Sequence, residues 1–249
     1  MKVQVASDAR ETGIAAGNAA ADLIIAEIEK KGYANILLAT GASQFETLNQ
    51  LISRKDIQWD RVTMFHLDEY IGLPDTHPAS FRKYLKERFL DKVPPLKAAY
   101  LINGEAEPLT ECGRLARLIG DHPIDVGLIG IGENAHLAFN DPPADFETTA
   151  PYIIAALDEG CRRQQVNEGW FAHIGEVPGQ AISISVKQIM QSGRLICSVP
   201  DLRKAAAVKN CLEQPVSNLN PASILQLHAE CQLFLDEAAA SLLSNDLVF

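Results

Sequence analysis

The sequence predicts an α/β fold: a single doubly wound domain over residues 1–249, its mostly parallel sheet flanked by helices. Three observations carry that expectation. Short apolar runs alternate with longer helical patterns from one end of the chain to the other. Several runs are apolar on both faces, as between Ile124 and Ile131, which suits strands covered on both sides of a parallel sheet. Finally, 249 residues at 47% hydrophobic content, with no internal repeat, low-complexity tract or linker, suffice for one large core.

Taken in order, a short strand from Val3 to Ala6 precedes an alanine-rich helix, Asp8 to Lys31, with Leu23, Ile24 and Ile28 on one face and Gly32 as its stop. Asn35 to Ala39 is a buried strand that runs into Thr40-Gly41-Ala42-Ser43 and a helix ending near Arg54. Arg61 to Leu67 is a third strand, finishing in Asp68-Glu69-Tyr70. Ser80 to Phe89 is a charged amphipathic helix, Tyr100 to Asn103 a weak strand and Thr110 to Ile119 another helix. The central strand, Ile124 to Ile131, follows. Further strands are expected at Tyr152 to Ala155, at Arg194 to Pro200 and at Cys231 to Leu235, while Gln180 to Val186 is either a strand with one face exposed or a short segment leading into Lys187 to Met190. Helices are expected at Lys204 to Leu212, Pro221 to Leu227 and Asp236 to Leu243.

The balance of charge narrows the function. A net charge of -10 and a pI near 5.1 argue against nucleic acid or anionic membrane as partner and leave room for a local basic pocket. The five cysteines are scattered without a Cys-x-x-Cys pair, so they read as reduced, packed thiols of a reducing compartment, and no metal site is expected. No apolar run approaches the roughly 20 residues needed to span a bilayer. A cytoplasmic protein is the expectation.

Chemistry-bearing residues cluster where strands should end, the edge at which open α/β sheets bind ligands. Thr40, Gly41, Ala42 and Ser43 lie between a strand and a helix N-terminus, a construction that holds phosphate through unpaired N–H groups and the helix dipole, and that also occurs as an ordinary turn. Asp68 and Glu69 offer a carboxylate base if one is desolvated, or else a solvated turn. The central strand is followed by Glu133, Asn134, His136 and Asp141, groups able to donate, accept or move protons, before Pro142-Pro143 stops any helix. That stop also rules against reading Gly130-Ile131-Gly132-Glu133-Asn134-Ala135 as a dinucleotide fingerprint, since no long helix follows to hold a pyrophosphate. No cofactor is expected. Lys204 at a helix start opposes the dipole, which an anion there would explain, whereas a solvated helix face is the commoner reading of the pair Arg162 and Arg163.

These residues carry a resemblance. Leu38 to Ser43, Leu67 to Pro74 with His77-Pro78 and Ser80-Phe81, Gly130-Ile131-Gly132 with His136-Leu137-Ala138-Phe139-Asn140, and Lys204-Ala205 resemble, in order and over nearly the whole chain, the glucosamine-6-phosphate deaminase/isomerase family, which is related to the 6-phosphogluconolactonases. The resemblance implies a Rossmann-like fold of the sugar-phosphate isomerase type. It implies conversion of an amino sugar phosphate, glucosamine 6-phosphate or its galactosamine epimer, to ketose phosphate and ammonia, formally a hydrolase reaction. It assigns Asp68 as the base moving a proton from C2 to C1 and His136 as the group assisting ring opening. Asn134 and Asp141 stand at catalytic positions and Glu69 at a substrate-binding one. Thr40 to Ser43, Lys204 and one of Arg162 and Arg163 are assigned to the 6-phosphate.

The chain departs from the family pattern at Asn134 for Asp, Ala135 for Gly and Asp141 for Glu. Ala144 to Leu157 contains no Lys or Arg, so the allosteric site of the family's hexamers is not expected, and the chain should act as a monomer or small homo-oligomer. A lactonase-type hydrolase and a non-catalytic sugar-phosphate sensor are the alternatives. Ammonia release separates the deaminase from both.

Overall fold

The computed structural model describes residues 1–167 and 169–244; Glu168 and the last five residues of the expected domain lie outside the described residues. Ten strands and eight α-helices appear in it: β1 Lys2–Ala6, α1 Ala9–Lys31, β2 Ala34–Leu38, α2 Phe45–Ser53, β3 Val62–His66, β4 Asp68–Tyr70, α3 Phe81–Arg88, β5 Ala98–Tyr100, α4 Pro108–Asp121 and β6 Val126–Ile129 in the first part. The second part holds β7 Tyr152–Ala156, α5 Glu159–Asn167, β8 Gln180–Ile184, α6 Val186–Met190, β9 Arg194–Val199, α7 Ala205–Glu213, β10 Cys231–Asp236 and α8 Glu237–Ala240. No helix among the described residues is long and apolar enough to cross a membrane.

Seven strands form a parallel sheet in the order β1-β10-β9-β6-β2-β3-β5. Successive residues along each strand face opposite sides, so Leu37, Phe65, Ile129 and Cys197 enter one hydrophobic cluster while Ile36, Leu38, Met64 and Ile196 enter the other. Helices α1, α2 and α3 cover the second cluster, and α4, α6, α7 and α8 the first. Both faces are therefore dry, which is why the strands read as continuous apolar runs. The tight seam of α1 on α2 depends on small residues, because a Cβ at Gly13 would lie 2.2 Å from Glu46 Cβ.

Strand order decides where a ligand can sit. From β2 the chain works outward through β3 to β5, and from β6 it works the other way through β9 to β10. The segment after β2 continues into α2 on one face, whereas Ile131, Ala135 and Leu137 after β6 pack on the other. Neighbouring strands that send their exits to opposite faces open a crevice at their carboxyl ends.

Three strands depart from the expected arrangement. β4, β8 and β7 form a separate antiparallel sheet, so Tyr152–Ala156 is a strand, as the sequence predicts, and Gln180–Ile184 takes the strand alternative, but neither belongs to the parallel sheet. Ile182, Ile184 and Tyr152 pack into the first cluster, and the Ile184 N–H donates to Leu67 O at 2.7 Å, which docks this sheet against the end of β3. Of β8 only Gln180 is exposed, so the alternation in its sequence marks two covered faces rather than a solvated one. The helix expected at Pro221–Leu227 is present as a 3-10 helix.

Candidate active site

Two loops at the crevice share one construction. After β2, Gly41 adopts φ 99°, and Ala42–Gln44 forms a 3-10 turn leading into α2. A side chain other than glycine's strains that backbone. The buried Gln44 amide holds the turn by donating to Ser198 O at 3.2 Å, and Tyr84 Oη donates to Gly41 O at 3.0 Å. After β9, Asp201 adopts φ 94° and Leu202–Lys204 forms a matching 3-10 turn into α7. Asp236 accepts the Asp201 N–H at 3.0 Å, which over-determines a conformation a non-glycine residue seldom takes. Two helix N-termini thus flank one cavity of about 250 Å³, with Thr40 to Ser43, Arg203 and the largely buried Lys204 in its wall. That size lies near the lower end for small-molecule sites.

The acidic pair divides its labour because consecutive strand residues face opposite ways. Asp68 lines the cavity and is 7% exposed, and burial first, then the neighbouring Glu69 charge, pushes its carboxyl up to about 8. A base with such a pKa is a strong one that still ionises near neutrality. Glu69, fully buried, does not line the cavity, which corrects the expectation of substrate binding. Burial raises its pKa, and the donors around it oppose that shift: Ser80 Oγ and Arg82 N–H at 2.8 Å, Tyr70 N–H at 3.0 Å and Phe81 N–H at 3.2 Å. It satisfies the amino end of α3 and fixes β4. His66, one strand position from Leu67, stays out of the site: burial pushes its imidazolium down to about 3, and Nε2 accepts the Ile102 N–H at 2.8 Å.

His136 stands in a loop of unusual backbone, flanked by Ala135 at φ 70° and Ala138 at φ 50°. Asn140 pins the loop by donating to Leu137 O at 2.7 Å and Ile184 O at 2.9 Å, while the Phe139 N–H donates to Ser183 Oγ at 3.0 Å. Ser183 is also the register partner of Asp68. One residue of β8 therefore fixes both Asp68 and the His136 loop, which accounts for the small sheet in functional terms. The imidazole lines the cavity with Nδ1 3.2 Å from Asp141 Oδ1. Burial pushes the Asp141 carboxyl up, but the contacts to His136 and Asn134 outweigh it and hold it below the usual carboxylate range. Asn134 donates to Asp141 Oδ1 at 3.0 Å and accepts the His136 N–H at 3.2 Å. Asn134 and Asp141 stay outside the cavity wall and act on His136 from behind.

Gly132 makes room for the imidazole: a Cβ there would lie 2.3 Å from both Cε1 and Nε2 of His136. Gly132→Ala is expected to tilt the ring and lower kcat/KM on the order of 10²-fold, with inhibition by inorganic phosphate unchanged. Unaltered turnover in that variant would show that ring placement is not limiting.

The cavity brings together Thr40, Gly41, Ala42, Ser43, Asp68, His136 and Lys204 from four separate stretches of sequence. It does not gather the arginine pair. Arg162 donates to Ile174 O at 2.7 Å and Val177 O at 3.0 Å, and Arg163 is an exposed partner of Glu159, so neither reaches the cavity. The guanidinium in the wall is Arg203, which pairs with Asp201 at 2.8 Å and with Glu133 at 3.4 Å across the crevice. Its place beside Lys204 at a strand end was the signal for it. Gln165, Trp170, Phe81 and Phe139 also line the cavity, brought there by tertiary packing that no local pattern announces.

Residues 7–234 match the family described as glucosamine-6-phosphate isomerases/6-phosphogluconolactonase. The chain is 33% identical over 98% of its length to the whole of the glucosamine-6-phosphate deaminase of Lactobacillus delbrueckii subsp. bulgaricus. It is 37% identical over 84% of its length to 81% of that of Exiguobacterium sibiricum. Among solved structures, a monomeric glucosamine-6-phosphate deaminase superposes with a TM-score of 0.88 at 32% identity, covering 97% of this chain and 100% of that one. The 6-phosphogluconolactonase of Trypanosoma brucei gives 0.79 at 16% identity, with 98% of each chain covered, which shows a common fold alone. The curated relatives are named as deaminases, and the expected hydrolase class finds no support among them. Sheet order, crevice and matched span agree, and the chain belongs to the glucosamine-6-phosphate isomerase/6-phosphogluconolactonase family.

Proposed function

We propose that the protein converts an amino sugar 6-phosphate, glucosamine 6-phosphate or its C4 epimer, with water into ketose 6-phosphate and ammonia. One observation carries the reading: a buried carboxyl with its pKa near 8 and a carboxylate-backed imidazole face the same cavity as two helix N-termini and a lysine. The phosphate belongs at the Thr40 to Ser43 turn and Lys204, where N–H groups and positive charge converge. Anchoring there holds the far end of the sugar against Asp68 and His136.

His136 passes a proton to the ring oxygen as the pyranose opens, and Asp141 steadies the imidazolium that alternates with the neutral ring. Ionised Asp68 takes the proton from C2 of the open aldose, giving an enolate, and returns it to C1 while the amino group gives up a proton to O1. The resulting C2 imine adds water and expels ammonia, so one water is consumed for each ammonia released. Relatives named glucosamine-6-phosphate deaminase over nearly the whole chain support the same chemistry.

Coupled assays of ammonia and ketose phosphate from purified protein test the proposal. One-to-one release from either amino sugar phosphate is the expected result. Sugar binding without ammonia points to the sensor, and hydrolysis of a phosphogluconolactone without ammonia points to the lactonase. Lys204→Met is expected to raise KM on the order of 10- to 100-fold, the worth of one charge-assisted hydrogen bond to phosphate. An unchanged KM would remove Lys204 from the phosphate site.

A further inference from the structure

Gln165 is 8% exposed and lines the cavity, yet among the described residues its side-chain amide has no hydrogen-bond partner. The amide is not sealed in the interior; what it faces is the cavity. An amide that faces the cavity with its donor and acceptor uncommitted is placed to be completed by what enters.

Its carrier is held firmly. The Cys161 N–H donates to Asp158 Oδ1 at 2.6 Å at the start of α5, and Arg162 ties the helix to Ile174 O and Val177 O. The Cys161 thiol interacts with Asp141, behind the imidazole. Gln165 is four residues on, hence on the same face of α5 and about 6 Å further along it. The Trp170 N–H donates to Gln165 O at 3.1 Å and closes the far end. Arg162, expected to hold phosphate, instead fixes the helix that presents Gln165.

The chemistry of the amide selects its ligand. It is uncharged and both donates and accepts, which suits a neutral hydroxyl and suits a phosphate poorly. In the deaminase reading, on which this inference rests, Asp68 and His136 serve C1, C2 and the ring oxygen, and the two helix N-termini serve the phosphate. That assignment leaves the C3 and C4 hydroxyls unassigned. We propose that Gln165 binds the C3 or C4 hydroxyl of the sugar and, where the contact is C4, sets the preference between the C4 epimers.

The test compares kcat, KM and inhibition by inorganic phosphate for the wild type, Gln165→Leu and Gln165→Glu, each with glucosamine 6-phosphate and galactosamine 6-phosphate. Leu keeps the volume and removes both hydrogen bonds; Glu keeps an acceptor and guards against a misfolded Leu variant. Expected is a fall in kcat/KM for the preferred sugar on the order of 10- to 100-fold in Gln165→Leu and a smaller one in Gln165→Glu. If C4 is the contact, the ratio between epimers collapses; if C3 is, both sugars lose equally while phosphate inhibition stays constant. A kcat/KM within twofold of wild type for both sugars would overturn the proposal, as would an equal loss in phosphate inhibition, which marks a structural role. Failure of the wild type to release ammonia from either sugar is a separate outcome: it sinks the deaminase reading, and the inference with it.

Discussion

Asp68→Asn is expected to lose about 10²- to 10⁴-fold in kcat and, at pH 8, to melt at a higher temperature than the wild type. Activity falls because the amide cannot take the C2 proton. Stability rises for a separate reason. The folded carboxyl has its pKa pushed up to about 8 by burial and by Glu69, whereas in the unfolded chain it ionises near the ordinary value of about 4. Between those limits the native state binds the proton that the unfolded state has released, so stability is full below about pH 4 and is lost as pH rises through about 8. Asparagine has no proton to lose. The gain at pH 8 should be on the order of a few kcal/mol, several degrees in Tm, and should shrink towards zero near pH 4. Thermal melts of both proteins at pH 4, 6 and 8 check it. A constant gap would mean that Asp68 is ionised in the folded protein throughout.

Glu69→Ala is expected to be the most destabilising single change at the site, at about 3–5 kcal/mol. It strips the acceptor from Ser80 Oγ and from the Phe81 and Arg82 N–H groups at the start of α3, and it leaves the buried Arg82 guanidinium without its 3.3 Å contact. Arg82 retains Leu73 O and Glu105, which keeps the loss at one element and not the whole fold. Gly104 packs on the same spot, since a Cβ there would lie 2.2 Å from Tyr70 O. Glu69→Gln separates charge from shape. With the neighbouring negative charge gone, Asp68 ionises more readily, so the rising limb of the pH–rate profile should move to lower pH. A limb that does not move would mean burial alone sets the Asp68 pKa.

Much of the site was legible because strand ends announce themselves. Where Leu38, Ile131 and Val199 give way to Thr40, Gly132 and Asp201, apolar runs stop at polar or small residues, and each stop proved to be a wall of the cavity. The parallel sheet was legible for the same reason: strands dry on both faces leave unbroken apolar runs. What stayed hidden depends on contacts remote in sequence. A strand of three residues such as Asp68–Tyr70 is too short to show a period, so the small sheet and the opposite facings of Asp68 and Glu69 emerge only in three dimensions. The arginine pair misled because charge alone does not tell a phosphate ligand from a clamp on backbone carbonyls. Gln165 gave no sign because an unpartnered amide is a property of its surroundings. Asn134 and Asp141, departures from the family pattern, turn out to touch each other and His136, which explains how the loop keeps a carboxylate on the imidazole.

In the proposed reaction Asp68 carries one hydrogen from C2 to C1 within this cavity. Turnover of glucosamine 6-phosphate deuterated at C2 tests it directly, with the isotope followed into the ketose by mass spectrometry. A primary isotope effect on kcat/KM is expected, with deuterium at C1 of part of the product and loss of both product and transfer in Asp68→Asn. Ketose formed without an isotope effect and without deuterium at C1, or formed equally well by Asp68→Asn, would contradict it.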